Sequence, residues 1–341
     1  MNLTLPEIQS ITLGAARVTE KEDGFHFYRF TADQDVAYTK NGELLINTLT
    51  SAGVKFSFET DSKTLGLKFN VTPRGTRNYF SIDVFADGKM VGDVRNYEEV
   101  ELPRKYTQHP LPVGDFSAEV DLGEGTKKVC VHLPWNMETV MQEISLDDGA
   151  SLTPVRPAKK LLCFGDSITQ GYDALHPSRR YTAQLADLFG MEEYNKAIGG
   201  EKFFPLLATL PDDFTPDLIT VAYGTNDWRR RDKATLEQTC RDFYANLRKT
   251  YPDTHIVAIA PLWRSVSVNV YDCGPFRKLP EIIARAIEGL DNITLVDAYD
   301  FIPHYSDYFA DLTLHPNGAG YDRYVAGLAP VLKDLQEKSI F

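Results

Sequence analysis

Leu161-Leu162-Cys163-Phe164-Gly165-Asp166-Ser167-Ile168-Thr169-Gln170-Gly171 is the stretch from which the fold can be read. Its apolar start is short, continuous and stopped by a Gly-Asp-Ser turn, the pattern of a strand buried on both faces. In open α/β sheets such strands end at the edge where ligands bind. A serine placed there can attack an acyl group while outward-pointing backbone N–H groups hold the oxyanion that forms. The C-terminal half is therefore read as built around Ser167.

Downstream of Ser167, strands expected around 193–197 and at 218–223, 255–260 and 293–297 follow a first strand at 160–165. They alternate with helices expected at about 178–189, 234–250, 277–290 and 318–337, the first capped by Ser178 and ended by Gly190. Leu218-Ile219-Thr220-Val221-Ala222 and Ile256-Val257-Ala258-Ile259-Ala260 are apolar throughout, as strands covered by helices on both sides must be. The expected fold class is α/β, a three-layer α/β/α domain of flavodoxin-like type over 159–341.

Upstream the period changes to two. Runs such as Leu65-Gly66-Leu67-Lys68-Phe69-Asn70-Val71 and Phe80-Ser81-Ile82-Asp83-Val84-Phe85 alternate apolar with polar, and residues 1–150 read as almost wholly β. Ala86-Asp87-Gly88-Lys89 supplies the positive φ angles of a tight hairpin. An all-β, jelly-roll-like sandwich is expected over 1–150 as an accessory domain. Residues 151–158, with two prolines and no periodicity, read as a semi-rigid linker.

The 341 residues carry 36 Lys and Arg against 48 Asp and Glu, a net charge of −12. Nucleic-acid binding, which rests on Lys and Arg neutralising phosphates, is not expected. The one basic cluster, Arg229-Arg230-Arg231, reads as a solvated loop. No apolar run approaches a membrane span, and the first residues lack the basic and apolar regions of a secretory signal, so a cytoplasmic setting without membrane partners is expected. Cys130, Cys163, Cys240 and Cys273 are scattered and read as buried free thiols.

Four loops at strand ends bring the chemistry together. Ser167 follows the first strand, Gly199-Gly200 the second, Asn226 in Tyr223-Gly224-Thr225-Asn226-Asp227 the third, and His315 in Asp311-Leu312-Thr313-Leu314-His315-Pro316-Asn317 the last. A serine hydroxyl is a weak nucleophile until a base removes its proton, and His315 fits that role. The N–H groups of Ser167 and Gly200 and the amide of Asn226 can supply three oxyanion donors. No cluster has metal-ligand spacing, and this chemistry calls for no metal or other cofactor.

These blocks resemble the SGNH (GDSL) hydrolase family over roughly residues 160–341. Gly165-Asp166-Ser167 matches the first family block, Gly200 the second, Gly224-Thr225-Asn226-Asp227 the third and His315-Pro316-Asn317 the last. The resemblance implies Ser167 as nucleophile, His315 as base, and Ser167, Gly200 and Asn226 as the oxyanion hole. One departure stands out: the family's acid lies three residues before the histidine, where this chain has Leu312. Asp311, one residue further back, can reach His315 across a bulge, completing a triad. Alternatively, a backbone carbonyl orients the imidazole and leaves a dyad.

A β-sandwich joined to such a domain is similar in architecture to the family 2 carbohydrate esterases, which implies an acetylated oligosaccharide or other small ester as substrate. Trp228 and Trp263, close to the site in sequence, can stack on a sugar if exposed or pack inside if not. The 262–276 loop is long and polar, fit to wall an acyl pocket or to form a contact in a homo-oligomer. The competing expectations are a short-chain esterase or thioesterase on other substrates, and a carbohydrate-binding protein whose machinery is idle.

Overall fold

A computed structural model describes residues 1–40, 44–98 and 111–341. The upstream part is built from β1 (Arg17–Lys21), β2 (Gly24–Tyr28), β3 (Lys55–Thr60), β4 (Thr64–Pro73), β5 (Ser81–Ala86), β6 (Lys89–Arg95), β7 (Gly114–Asp121), β8 (Lys127–His132) and β9 (Met137–Leu146). They form two antiparallel sheets, one ordered β3-β8-β5-β6 with short flanking strands and one ordered β1-β2-β9-β4-β7. The alternation in β4 is what lets the sheets share a core: Leu65, Leu67, Phe69 and Val71 point in, toward Phe56, Phe58, Ile82, Val84 and Val131 of the other sheet. The β5–β6 hairpin turns through Asp87 and Gly88 with φ of 49° and 75°, the paired positive angles that its Asp-Gly predicts.

Two helices interrupt what reads as continuous β sequence: α1 (Leu5–Ile11) and α2 (Ala32–Thr39). Each starts with a capping box, Thr4 with Glu7 and Thr31 with Gln34. That Thr-x-x-Glu/Gln spacing was the signal in the sequence. Residues 151–158 are held along part of their length. Thr153 and Pro154 pair with Glu59 and Phe58 along the edge of β3, and the N–H of Val155 donates to Ser57, so the connector is laid down as an edge strand.

The downstream part holds five parallel strands, β10 (Lys159–Gly165), β11 (Met191–Asn195), β12 (Leu218–Ala222), β13 (His255–Ala260) and β14 (Ile293–Asp297), in the order β11-β10-β12-β13-β14. The helices are α3 (Ser167–Gln170), α4 (Tyr181–Leu188), α5 (Thr225–Arg230), α6 (Lys233–Thr250), α7 (Leu279–Ile287) and α8 (Gly318–Glu337). Because successive strand residues face opposite ways, Leu162 and Phe164 pack with α6 and α7, while Leu161 and Cys163 pack with α4 and α8. The result is three layers. Ser178 does not cap α4; its N–H and hydroxyl both bind Asp83 of β5, and Arg180 stands at the cap. Among the described residues no helix is long and apolar enough to cross a membrane.

The two parts are tied by buried polar groups. Arg29, 1% exposed, donates from Nη1 to the carbonyls of Asn195, which ends β11, and Ala197 just past it, and from Nε and Nη2 to Thr50 and Asn47. Trp135 Nε1 donates to Ala174, and Lys196 donates to the carbonyl of Arg29. Each bond satisfies a group that burial would otherwise leave unpaired, at about 1–3 kcal/mol per orphan. Of the four free cysteines, three are buried; Cys130 is partly exposed, with its sulfur 3.4 Å from His132 Nε2.

Candidate active site

The parallel sheet brings its carboxyl ends to one edge, and the loops there close on a single cleft. Asp166 ends the turn after β10 and accepts the N–H of Ile168, starting α3 at Ser167. Ser167 is 5% exposed, and its Oγ lies 2.9 Å from His315 Nε2. His315 reaches it from the loop before α8, its ring lying against Tyr172 with centroids 5.4 Å apart.

Leu312 explains how a displaced acid still meets the histidine. It takes φ of 62°, a left-handed conformation uncommon for a branched side chain, and so adds one residue of bulge between Asp311 and His315. Asp311 Oδ2 then stands 2.8 Å from His315 Nδ1, while its Oδ1 accepts the N–H groups of Thr313, Leu314 and His315. Burial opposes ionisation of Asp311, but the bond from His315 and those N–H donors outweigh it and hold the carboxyl well below its ordinary range.

A second carboxylate, which the sequence reading missed, lies behind the first. Asp173 Oδ2 is 3.7 Å from His315 Nδ1, and Arg77 binds Asp173 through Nε and Nη2 at 2.6 and 2.8 Å, with Tyr79 donating as well. Burial works against its charge, yet Arg77 and the nearby imidazole keep Asp173 below the usual range. Arg77 and Tyr79 come from the segment between β4 and β5, so the upstream part supplies part of the site. No local motif marks them, since their partners are nearly a hundred residues away. Ligand-type atoms of Asp173, Asp311 and His315 fall within 4.8 Å of one another, a metal-like spacing. The guanidinium of Arg77, 3.5 Å from His315 Nδ1, puts a positive charge where a cation would have to sit.

Gly200 and Asn226 line the same cleft as Ser167 and His315. Gly200 has φ of 82°, which a side chain resists. The N–H groups of Ser167 and Gly200 have no acceptor among the described residues, and Asn226 Nδ2 donates to the carbonyl of Glu201 at 3.0 Å, which fixes the direction of its amide. Behind them Glu201, 1% exposed, bonds Tyr38 and Tyr223. Burial pushes its carboxyl up to about 8. Between its ordinary value of 4.5 and about 8, the folded chain holds a proton there that the unfolded chain releases, so stability falls as pH rises through that window. Glu201→Gln keeps a donor amide in place and removes that dependence. The drop in Tm between pH 5 and pH 9 should shrink by several degrees in the variant; equal drops would exclude Glu201 as the source.

The tryptophans do not line the cleft. Trp228 is 0% exposed, with its Nε1 bonded to Gly274 in the 262–276 loop, so it packs inside and has no face for a sugar. Trp263 is half-buried and stacks on His304 with centroids 5.1 Å apart. Among the described residues, Tyr172, Phe203 and Phe204 line the cleft together with the His315 ring. The basic cluster differs from a solvated loop as well: Arg229 and Arg230 end α5, Arg231 turns back onto Asp227 at 2.6 Å, and all three line the cleft.

Residues 163–323 match the GDSL-like Lipase/Acylhydrolase family. No curated protein matches the sequence. Among solved structures, a salicylyl-acyltransferase, SsfX3, from a tetracycline biosynthetic pathway is similar over 95% of this chain and 94% of its own, with TM-score 0.77 and 21% identity. A family two carbohydrate esterase from Cellvibrio japonicus is similar over 99% and 97%, with TM-score 0.67 and 17% identity. An acetyl xylan esterase, Est2A, from Butyrivibrio proteoclasticus is similar over 100% and 99%, with TM-score 0.64 and 14% identity. At these identities the likeness is one of fold.

Proposed function

From the premise that residues 163–323 form a GDSL-like lipase/acylhydrolase segment, we propose that the protein is a serine esterase removing short acyl groups, acetyl above all, from carbohydrates. The observation that carries the reading is the unbroken chain Asp311–His315–Ser167, with links of 2.8 and 2.9 Å. Ser167 Oγ attacks the ester carbonyl carbon as its proton passes to His315 Nε2. The oxyanion is received by the N–H groups of Ser167 and Gly200 and by the amide of Asn226. Collapse expels the sugar hydroxyl, protonated by His315, and leaves the acyl group on Ser167. Water, deprotonated by the same imidazole, releases acetate and restores the serine. Asp311 holds the ring with its proton on Nδ1 and offsets the charge of the imidazolium.

The cleft, about 710 Å³ and lined by seven Lys and Arg side chains beside Phe203, Phe204 and Leu314, suits a small acyl group on a polar carrier better than a long acyl chain. The domain division belongs to the same proposal: an accessory unit at 1–150, a connector at 151–158 and the catalytic unit at 159–341. A jelly roll for the first is supported by strand order, since β2-β9-β4-β7 and β3-β8-β5-β6 follow that winding.

Acetate release from defined acetylated xylo- and manno-oligosaccharides, run beside acyl thioesters, tests the reading; faster turnover of the thioesters would overturn the carbohydrate assignment. Asn226→Ala should lower kcat by about 10²–10³ with little change in KM, the effect of losing one oxyanion donor. A rise in KM alone would move Asn226 from oxyanion donor to ground-state binding.

A further inference from the structure

The cleft that holds Ser167 is cationic in a chain that is not. Seven Lys and Arg side chains and no carboxylate line it among the described residues, while the chain as a whole carries a charge of −12. Two of the seven are already committed, Arg77 to Asp173 and Arg231 to Asp227. The other five, Lys40, Lys202, Arg229, Arg230 and Arg264, form no ion pair among the described residues.

Arg264 is the informative one. It is 6% exposed, its Nη1 is held by the carbonyl and hydroxyl of Thr225 at 3.3 and 3.1 Å, and its buried Nε has no hydrogen-bond partner. A buried guanidinium with no carboxylate within ion-pair distance is costly to keep. Arg230, by contrast, is exposed and poised: its Nη1 lies 3.9 Å from where a β-carbon on Gly200 would stand, beside the proposed oxyanion hole. Guanidinium groups bind carboxylate and phosphate through paired, charge-assisted bonds, and five like charges in one cleft focus an attractive field for anions.

We propose that the cleft selects esters whose carrier bears an anionic group, a carboxylate or a phosphate, and that Arg229 and Arg230 are its specificity-determining contacts, with Arg264 supplying fixed charge behind them. This rests on the esterase reading of Ser167 and adds the charge of the substrate to it. Long-range attraction raises the local concentration of the anion, and the guanidinium contacts then hold the ester beside Ser167.

Three matched acetyl esters test it on the full-length protein: an acetylated methyl glucoside, an acetylated methyl glucuronide and an acetylated glucose 6-phosphate. Both anionic esters should exceed the neutral one in kcat/KM by about tenfold or more, through KM, and the advantage should shrink in about 0.5 M NaCl. The ratio between the two anionic arms assigns the subsite to carboxylate or phosphate. In Arg229→Gln/Arg230→Gln the anionic-to-neutral ratio should fall by roughly tenfold or more. A parent enzyme with equal kcat/KM on all three, or a variant with an unchanged ratio, overturns the proposal. An equal loss of kcat on all three esters also overturns it, since that would make the arginines oxyanion donors.

Calorimetric binding of the same esters to Ser167→Ala separates the two claims. Anion-preferring binding without turnover by the parent would refute the esterase reading and leave the anion site standing. Turnover with no preference in either assay would refute the anion site alone.

Discussion

Ser167→Ala should lower kcat for acetyl ester hydrolysis by about 10⁵–10⁶ while leaving the fold intact. The magnitude follows from what the hydroxyl does. In the proposed mechanism it forms the covalent link to the acyl group, and among the described residues no other nucleophilic side chain lies against His315 Nε2. The variant loses one small polar group at a site 5% exposed, leaving His315 Nε2 without its 2.9 Å partner. Losing a hydrogen bond of that kind costs about 1–3 kcal/mol of stability, noticeable in Tm but far from unfolding. Some rate above water, about 10³–10⁴, should survive from the oxyanion donors and substrate positioning. Acetate release by purified parent and variant, with circular dichroism to match their folds, checks this. Turnover within tenfold of the parent would remove Ser167 from the mechanism.

Asp311→Asn comes next, with an expected loss of about 10⁴ in kcat and little change in stability. Asparagine keeps a carbonyl oxygen for the N–H groups of Thr313, Leu314 and His315, so the bulge around Leu312 should persist. It puts an amide donor, however, where Oδ2 faces His315 Nδ1 at 2.8 Å. The imidazole then favours the tautomer with its proton on Nε2, aimed at Ser167, and can no longer act as base. Asp173 makes the comparison decisive. At 3.7 Å from Nδ1 it is the other carboxylate able to orient the ring, but Arg77 and Tyr79 already occupy it. Asp311→Asn losing four orders of magnitude would identify a triad. A loss under tenfold would give the orienting role to Asp173, and parallel kinetics on Asp173→Asn would show it.

The downstream fold was legible because its signals are local. Strands covered on both faces must be apolar throughout, and β12 and β13 lie within a residue of their expected limits. What the sequence hid was set by partners far along the chain. Ser178 has every property of a helix cap, but Asp83 of β5 takes both its donors. Arg77 reads as an ordinary loop arginine until Asp173 is placed beside it. Trp228 was ambiguous because its spacing from Asn226 is the same whether the indole points out or in; Gly274 and Cys273 decide it by packing over the ring and its backbone. The arginines at 229–231 were legible as charge and not as location, because the turn from β12 into α5 aims the helix end at the cleft only in three dimensions. Capping boxes at Thr4 and Thr31 are a different case: the information was local and outweighed by the alternation around it.

Arg29 also constrains how the chain comes to be folded. Its partners Asn195 and Ala197 are made some 166 and 168 residues later, so during synthesis the guanidinium must wait, hydrated, at the seam of an unfinished molecule. Contacts of that sequence separation require the loop entropy to be spent before they return anything. Burial pulls Arg29 down only to about 10, so it enters the seam charged. Until the strand carrying Asn195 emerges, Nη1 of Arg29 lacks both of its carbonyl partners. The seam can close only after that strand is made, and the same seam sets Arg77 beside Asp173 next to the histidine. A chain released before residue 195 therefore lacks the carbonyl acceptors that receive Arg29, however complete its upstream sheets are.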